Sequence, residues 1–352
     1  MKAIKTILLL TIAMAVGIIA CKKESTIKQI SKFEYKVESK IPYSQIQLIN
    51  KGFKGTQGSS QILVFANMDA FKLTLADLDR QVRELDSAFV STYSSLSEDS
   101  LNLKEEEIGF NEKQPLLDFA DFFMYHSLYM RIDSLENIWL NNTILDDANE
   151  PDNHFIFELA LRAILNADCE VQIDDIIYKI TGDGYFTIPS GNFKSLQLLD
   201  KDPTNTHLIK DVFYSGDDCS SCKATGCNSN KRQSGYKYNS AHDKRIKYVV
   251  SHWTHPWDRR CAAKTDNYKK NGWFWKKYRT NCFAKVYGYV SDMVGECDGQ
   301  LNFNTANIGL NGYNVEHVEH KIEVQTKTKT GWVQSNFYGA GGISHDQILT
   351  WY

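Results

Sequence analysis

The sequence lacks the short motifs that identify the commonest hydrolases and nucleotide-binding enzymes. It contains no GxSxG turn for a serine nucleophile, no HExxH pair for zinc and no glycine-rich phosphate loop. The adjacent pairs His242-Asp243 and His345-Asp346 do not replace them, because folding rather than adjacency normally brings acid and base groups together. We therefore predict no catalytic residue and no cofactor, and we favour a function without enzyme activity.

Long apolar runs are also missing, apart from a short one at the start of the chain. Residues 7–20 carry no charge, but these 14 residues at 1.5 Å each reach only about 21 Å, which is less than the hydrocarbon core of a bilayer. Lys2 and Lys5 precede the run, and small residues lead up to Cys21. This is the layout of a secretory signal peptide, so we predict one over residues 1–20.

The end of this leader, Ile18-Ile19-Ala20-Cys21, resembles the lipobox of bacterial lipoproteins. The resemblance implies acylation of the Cys21 sulfur, for example with palmitate, cleavage before Cys21, and anchoring to a membrane through the lipid. No aspartate follows Cys21, and an aspartate there tends to retain enteric lipoproteins in the inner membrane. By analogy we expect the outer membrane, on its periplasmic side or at the cell surface. An ordinary cleaved signal that ends near a cysteine is the alternative.

The chain beyond the leader is long enough for two domains. We predict an α+β fold, with a helical N-terminal domain that contains a β-hairpin, followed by an antiparallel all-β domain that forms a sandwich or an open barrel. The predicted boundaries are a tether over residues 21–40, the helical domain over 41–215, a cysteine-rich connecting loop over 216–235 and the β domain over 236–352.

Periodicity and capping residues predict the elements of the helical domain. Phe71, Leu75, Leu78 and Val82 recur at helical spacing after Asn67, which can cap a helix that continues to Phe89. The serine-rich and acidic residues 91–111 predict a loop. A second helix is predicted over 115–141, and a third over 155–165 with Asp152 as its cap, before a β-hairpin or meander over 171–188.

The segment LNADCEVQIDDIIYKIT, residues 165–181, resembles a segment of the type LNxxxEVQIxDxIYKIT in uncharacterised secreted lipoproteins of Bacteroidetes. In that family a helix also runs into this segment, and together they extend the resemblance to about a fifth of the chain. The resemblance supports a structural module over residues 165–188 and implies no activity. In the β domain, Asn271-Gly272 and Asn311-Gly312 predict turns between strands, which are expected over 245–257, 273–290, 315–328 and 332–338.

Opposite charges are concentrated in different parts of the chain. Residues 61–160 contain 20 acidic and 6 basic residues, whereas residues 231–290 contain 15 basic and 3 acidic residues. The basic segment could bind a polyanion, or the two segments could dock against each other, and docking is the favoured interpretation. Nucleic acid is not expected as a partner of an envelope protein.

The cysteines predict disulfides in the β domain. Cys169 precedes a strand and reads as a small buried hydrophobic residue. Six cysteines cluster in or just before the β domain, and outside the cytoplasm such a set favours disulfides. Zinc bound at the CxxC pair and a redox CxxC are the alternatives, although no second CxxC pair follows. The disulfide candidates are Cys219, Cys222, Cys227, Cys261, Cys282 and Cys297.

Histidines do not strengthen the case for a metal. His252 and His255 are three residues apart, as are His317 and His320. On a helix this spacing would form a chelating pair, but on a strand it places the two side chains on opposite faces. His320 shares a face with apolar residues and is predicted to pack in the core. We therefore predict no metal ligands.

Tryptophan and lysine side chains of the β domain form a candidate ligand surface. In the sequence GWFWKKYR, strand alternation predicts aromatic planes beside cations, which would suit sugar rings with acidic groups. The alternative is that one face is core and the lysines extend over it to reach solvent. The surface candidates are Trp253, Trp257, Trp273, Trp275 and Lys277.

The leading functional prediction is a lipoprotein of the outer membrane or cell surface that acts as a non-catalytic binding or interaction module. Its expected partners are the membrane, through the lipid anchor, and an envelope protein or a glycan. The first alternative is a glycan-binding protein or carbohydrate-directed enzyme that uses the tryptophan and lysine surface. The second alternative is a structural component of the envelope.

Overall fold

The computed structural model describes residues 33–141, 150–156, 158–182, 184–202, 213–216, 231–257, 259–293, 300–312, 318–322 and 328–351. The predicted leader, Cys21 and most of the tether lie outside these ranges. We call residues 33–216 the helical half and residues 231–351 the β half. The helical half combines helices with a sheet, and the β half contains two antiparallel sheets, which confirms the predicted mixture of helices and sheets.

The sheet of the helical half contains β1 (Gln47–Asn50), β2 (Gln61–Phe65), β3 (Glu170–Ile173), β4 (Ile176–Thr181), β5 (Gly184–Pro189) and β6 (Phe213–Gly216), in that order. All neighbouring strands are antiparallel except β2 and β3, which are parallel. The predicted meander over 171–188 is confirmed as β3 to β5. Asp174 has a φ of 54° in the turn between β3 and β4, a conformation that aspartate tolerates better than most residues.

Helix α1 (Met68–Thr92) is the predicted first helix, and its cap is also as predicted. The Asn67 side chain accepts a hydrogen bond of 2.8 Å from the Ala70 amide. The predicted loop over 91–111 is wrong, because α2 (Glu98–Ile108) lies within it. Ser97 caps the start of α2, and Gly109, with a φ of 64°, ends it in the left-handed conformation.

The predicted helix over 115–141 is divided into α3 (Gln114–Phe122) and α4 (Leu128–Leu140). Met124 has a φ of 48°, which ends the first helix. Ser127 then caps the second one through the Met130 amide. The prediction that Asp152 caps a helix over 155–165 is also wrong. Helix α5 (Leu159–Ile164) begins after Glu158, and the Asp152 carboxylate instead binds the Arg162 side chain at 2.5 Å.

Residues 33–40, predicted as the end of a solvated tether, pack against the helical half. The Phe33 ring lies edge-on to the rings of Phe89 and Phe110 at centroid distances of 5.8 and 5.4 Å. The Ser39 hydroxyl donates to the Asp77 carboxylate at 2.7 Å. The folded part of the chain therefore begins earlier than its composition predicts. Helix α6 (Phe193–Lys201) completes the helices of the described residues.

The strands of the first sheet in the β half are β7 (Lys231–Tyr238), β8 (Lys244–Thr254), β9 (Arg259–Asn271), β10 (Phe274–Lys277) and β13 (Val318–Ile322). They have the order β10-β9-β8-β7, and β13 also pairs with β9. Strand β7 begins inside the predicted connecting loop over 216–235, so the end of that loop is wrong. Asn271-Gly272 forms the predicted turn, where Gly272 has a φ of 61°.

The strands of the second sheet are β11 (Cys282–Met293), β12 (Gln300–Gly312), β14 (Thr328–Gly339) and β15 (Ile343–Trp351). They have the order β12-β11-β14-β15, and all neighbouring strands are antiparallel. Buried residues from both sheets, among them Val250, Cys261, Val286 and Phe337, belong to one apolar cluster. The cluster therefore joins the two sheets of the β half.

The largest apolar core lies in the helical half, between α1, α3, α4, α5 and the sheet. It also contains Trp257 of the β half, whose ring lies 4.5 Å from that of Phe71. The two halves therefore share apolar packing as well as polar contacts. Among the helices that the structure describes, none has both the length and the apolar character needed to cross a membrane.

Candidate functional site

The two halves dock through opposite charges, which confirms the favoured interpretation of the charge asymmetry. Acidic side chains of α2 and α4 meet basic side chains of β8 to β10 and of the segment after β10. Lys269 pairs with Asp99 at 2.6 Å at an exposed position. The other pairs across the boundary include Lys244 with Glu98 at 3.7 Å, Lys277 with Glu136 at 3.1 Å, and Lys276 with Glu106. Much of the basic segment is thus used within the molecule.

Arg279 is the most deeply buried cation at this edge of the boundary. Its side chain is 2% exposed and binds Asp86 at 2.5 Å and Glu105 at 2.8 Å. Burial alone would lower the pKa of the Arg279 guanidinium, but Asp86 and Glu105 outweigh it and raise the pKa. The guanidinium also lies 5.3 Å from the centre of the Phe89 ring. Arg279 therefore remains charged and fixes the position of α2 against the β half.

A second charged group, the Asp152 cluster, lies deeper between the halves and consists of Glu150, Asp152, Arg162, Lys247 and Lys264. Asp152 binds both Arg162 and Lys264 at 2.5 Å and lies 3.5 Å from Lys247. Lys247 also pairs with Glu150 at 2.9 Å. Burial would raise the pKa of Asp152, but the charges of Lys264, Arg162 and Lys247 hold it well below its usual value. Asp152 is therefore ionised at neutral pH, and its ion pairs with Lys264 and Lys247 join the halves.

A cleft of about 430 Å³ lies beside the Asp152 cluster, between α2, α4 and the strands β9 and β10. This volume is in the usual range for small-molecule sites. Polar side chains form much of its wall, together with rings of Phe110, Tyr129 and Tyr278. The charged lining residues are Glu105, Glu106, Glu112, Asp133, Glu136, Asp266, Lys113, Lys276, Lys277 and Arg279. We call this space the inter-half cleft.

Glu136 is the lining residue with the most informative environment. It lies on α4, one turn after Asp133, and is only 5% exposed. Its Oε2 atom accepts a hydrogen bond of 3.1 Å from Lys277. Its Oε1 atom is buried and has no hydrogen-bond partner within the part of the chain that the structure describes. Buried polar atoms normally have a partner, so a carboxylate with one unpaired oxygen is the least satisfied polar group among the residues that line the cleft.

Two other carboxyl groups of the wall differ in their affinity for protons. Burial raises the pKa of Asp266, and the neighbouring Asp152 charge adds to this effect while Lys264 opposes it. Burial would also raise the pKa of Glu112, but Lys113 and Arg279 reverse the shift and lower the pKa to about 2. The cleft wall therefore contains one carboxyl group with a raised pKa, Asp266, and one with a lowered pKa, Glu112.

The carboxylates of Glu136, Glu150 and Asp152 are close enough to suggest a metal site. One oxygen of each lies within 4.8 Å of the others. Each carboxylate is, however, paired with a cation, namely Lys277, Lys247 and Lys264 respectively. A metal ion would have to displace these ammonium groups, so the donor set fits ion pairs better than metal binding.

The predicted tryptophan and lysine surface is not assembled as one face. Trp253 and Trp257 are each 4% exposed and pack among aromatic rings, so they do not belong to a surface. Trp273 is 85% exposed in the turn before β10. Trp275 is half-buried, with the Arg245 guanidinium 4.5 Å from its ring centre. Lys277 lines the inter-half cleft and binds Glu136.

The described cysteines are all buried. Cys261 and Cys282 lie in the apolar cluster between the two sheets of the β half. Cys21, Cys219, Cys222, Cys227 and Cys297 lie outside the described residues, so the disulfides stay a prediction. Cys169 is a buried free thiol, as predicted, and its sulfur lies 3.8 Å from the His154 ring.

The contact between Cys169 and His154 does not form an activated nucleophile. Burial raises the pKa of the Cys169 thiol to about 12 and lowers the pKa of His154 to about 3. At neutral pH both groups are therefore uncharged, whereas an activated pair needs a thiolate. The other histidines considered above are buried, in the case of His252 and His255, or have side chains outside the described part, in the case of His317 and His320.

Sequence reasoning selected one residue of the cleft lining, Lys277, and missed the others, including Glu136 and Arg279. Glu136 and Arg279 lie in the acidic and basic segments, so the charge counts contained the relevant signal. The counts could not show which charges meet, because Asp152 and Lys264 are 112 positions apart. A search for acidic residues on the predicted face of the second helix would have selected Asp133 and Glu136.

Comparisons with known proteins add a distant likeness. No protein-family model matches the chain, and no curated protein matches it significantly. Among solved structures, a DUF4848 family protein from Bacteroides thetaiotaomicron is similar over 82% of this chain and 96% of its own length, with 10% sequence identity and a TM-score of 0.19. A likeness with a TM-score this low carries no argument about the family, the fold or the site of this chain.

Proposed function

We propose that this protein is an outer-membrane or cell-surface lipoprotein that is anchored through Cys21 and binds a polar ligand in the inter-half cleft without chemical conversion. The observation that carries the ligand site is Glu136, whose buried Oε1 atom has no hydrogen-bond partner among the described residues while its side chain lines the cleft. The leader pattern of residues 1–21 supports the anchor.

The state of the charged groups supports binding rather than catalysis. Lys276, Lys277 and Arg279 are each held in ion pairs across the boundary between the halves. Burial keeps both Cys169 and His154 uncharged at neutral pH. A wall of mutually fixed charges is suited to selecting a ligand through hydrogen bonds, because little reorganisation is needed when the ligand enters.

A structural role in the envelope is the second candidate. It is favoured by the number of ion pairs that the two halves use against each other, including the Asp152 cluster. On this alternative the cleft has no ligand. For the β half we further propose a sandwich of the two sheets, supported by the apolar cluster to which both sheets contribute.

The anchor predicts a lipid-labelling result. We expect the wild-type protein to incorporate a clickable palmitate analogue in a bacterial host and to sediment with the outer membrane. The Cys21→Ala variant should lose the label and leave the membrane fraction, because the acylated sulfur is removed. Cys169→Ala is the matched control and should keep the label, since that thiol is buried within the fold. Labelling of Cys21→Ala equal to the wild type would contradict the anchor.

Narrowing the cleft should weaken ligand binding. Asn137 is an exposed residue of α4 that lines the cleft, and Asn137→Trp would fill part of the space. We expect at least about a tenfold loss of affinity, since displaced hydrogen bonds to charged groups are worth about 1.5–3 kcal/mol. Screening a glycan array and then titrating the glycan that binds best, whatever its charge, by calorimetry measures this loss.

The control for this experiment lies at the next position of the same helix. Ile138 is 67% exposed, and Ile138→Trp adds a similar side chain outside the cleft lining. It should leave the affinity unchanged. If Asn137→Trp binds as well as Ile138→Trp, the ligand does not use the inter-half cleft and the proposed site is wrong.

A further inference from the structure

The direction from which a ligand can reach Glu136 is fixed by the cavities around it. A second cavity of about 10 Å³ is lined by Glu136, Asp152, Arg162, Lys264 and Lys277 among others. That volume suffices for about one water molecule and for nothing larger. Of these two cavities in the described part of the chain, the inter-half cleft is therefore the one with room for a larger molecule at the Glu136 carboxylate.

The cleft wall presents both signs of charge side by side. Its charged lining comprises six carboxyl groups and four cations, and pairs such as Glu136 with Lys277 at 3.1 Å and Arg279 with Glu105 at 2.8 Å alternate along it. A ligand carboxylate would face the acidic members, and a ligand ammonium would face Lys113 and Lys277. Either charge would leave part of the wall opposed to the ligand.

A hydroxyl group satisfies such a wall without adding charge, because it donates one hydrogen bond and accepts others. At Glu136, a hydroxyl could donate to the carboxylate and accept from the neighbouring Lys277 ammonium. Phe110 is a partly exposed aromatic residue of the same lining, and such rings pack against the CH faces of sugars. These features belong together in an uncharged sugar with adjacent hydroxyl groups.

We infer that the ligand of the inter-half cleft is an uncharged oligosaccharide, with one hydroxyl bound between the Glu136 carboxylate and the Lys277 ammonium. This inference rests on the proposed function and adds the chemical class of the ligand. It also reverses the sequence-based expectation of an acidic glycan or polyanion on the tryptophan and lysine surface, because Lys276, Lys277 and Arg279 are already paired within the chain.

The test compares sugars that differ in charge. The full-length lipoprotein in detergent is titrated by calorimetry with uncharged gluco-, galacto-, manno- and xylo-oligosaccharides, with glucosamine oligomers carrying ammonium groups, and with oligogalacturonate carrying carboxylates. We expect at least one uncharged series to bind about tenfold or more tightly than both charged series. Equal or tighter binding of a charged series, or no binding of any uncharged series, would overturn the inferred class.

The role of Glu136 is tested with a conservative pair of variants. Glu136→Gln keeps the shape but removes the charge of the acceptor, and should weaken binding of the uncharged sugar about tenfold or more. Glu107→Gln makes the same change at an exposed position outside the cleft lining and should have no effect. Unchanged binding by Glu136→Gln would remove Glu136 from the site.

The outcomes separate this inference from the proposed function. If a charged sugar binds best and Asn137→Trp abolishes its binding, the cleft is the ligand site and only the ligand class is wrong. If sugars bind but neither Asn137→Trp nor Glu136→Gln changes the affinity, both the proposed site and the inferred class fail. Thermal denaturation of each variant confirms that a loss of binding does not result from unfolding.

Discussion

Replacing Asp152 with alanine is expected to lower the free energy of unfolding by about 3–5 kcal/mol, because it leaves buried cations without their counter-charge. Arg162 and Lys264 each lie 2.5 Å from the Asp152 carboxylate, and their side chains are only 2% and 5% exposed. Burial has already removed Arg162 and Lys264 from water. Hydration therefore does not replace the attraction to Asp152 that the substitution removes. Equilibrium unfolding in urea measures the effect.

The control for Asp152→Ala is an ion pair at the surface. Lys269 and Asp99 pair at 2.6 Å, but their side chains are 36% and 63% exposed. Solvent screens such a pair, so Lys269→Ala should change the free energy of unfolding by no more than about 1 kcal/mol. Equal effects of the two substitutions would show that the Asp152 cluster does not act as a buried network.

The same cluster gives the stability a defined dependence on pH. The pKa of Asp152 is depressed in the folded protein, whereas in the unfolded chain it returns to about 3.9. A depressed carboxyl pKa contributes stability that is complete above the unfolded value and is lost as pH falls toward the folded value. We expect this contribution to decline below about pH 5 in the wild type, and to be missing from the profile of Asp152→Ala.

Trp257→Ala is expected to cost about 3–5 kcal/mol, the usual range for truncating a large buried aromatic side chain. Trp257 comes from the β half but belongs to the core of the helical half, with the Phe71 ring at 4.5 Å and the Tyr178 ring at 6.1 Å. The resulting cavity would lie where the halves join. We therefore expect limited proteolysis of the variant to cut between the halves more rapidly than in the wild type.

Trp273 supplies a matched control for Trp257. It is 85% exposed in the turn between β9 and β10, so Trp273→Ala should change the free energy of unfolding by no more than about 0.5 kcal/mol. Both tryptophans were candidates for the same ligand surface from sequence. Similar stability losses in the two variants would contradict the burial that separates them.

Local pattern was sufficient to predict some elements of the fold. Helix α1 has an apolar stripe that begins at Phe71 and a capping Asn67, and both are neighbouring signals in the chain. Helix α2 was missed because only Leu101 and Ile108 are buried along it, too few to give a periodic signal. Its capping residues, Ser97 and Gly109, are visible in the sequence. The acidic and serine-rich composition nevertheless favoured a loop.

Contacts between distant parts of the chain could not be predicted in this way. The charge counts indicated that two segments attract each other, but not that Lys277 would bind Glu136 while Lys264 binds Asp152. The tryptophans illustrate the same limit, because alternation along a strand gives two faces and only packing decides which one is buried. Trp257 packs against Phe71 of α1, which precedes it in the chain by 186 residues.

The sequence by itself determined the meander after α5 and the surplus of opposite charge in the two segments, and it is the basis of the predicted lipoprotein leader. These features depend on neighbouring residues or on composition. Only the tertiary structure decided that the charges form ion pairs between the halves and that Trp253 and Trp257 are buried. It also decided that a cleft with Glu136 in its wall lies where the halves meet. The physical reason is that ion pairing, burial and cavities depend on which distant side chains meet, and chain folding alone sets those distances.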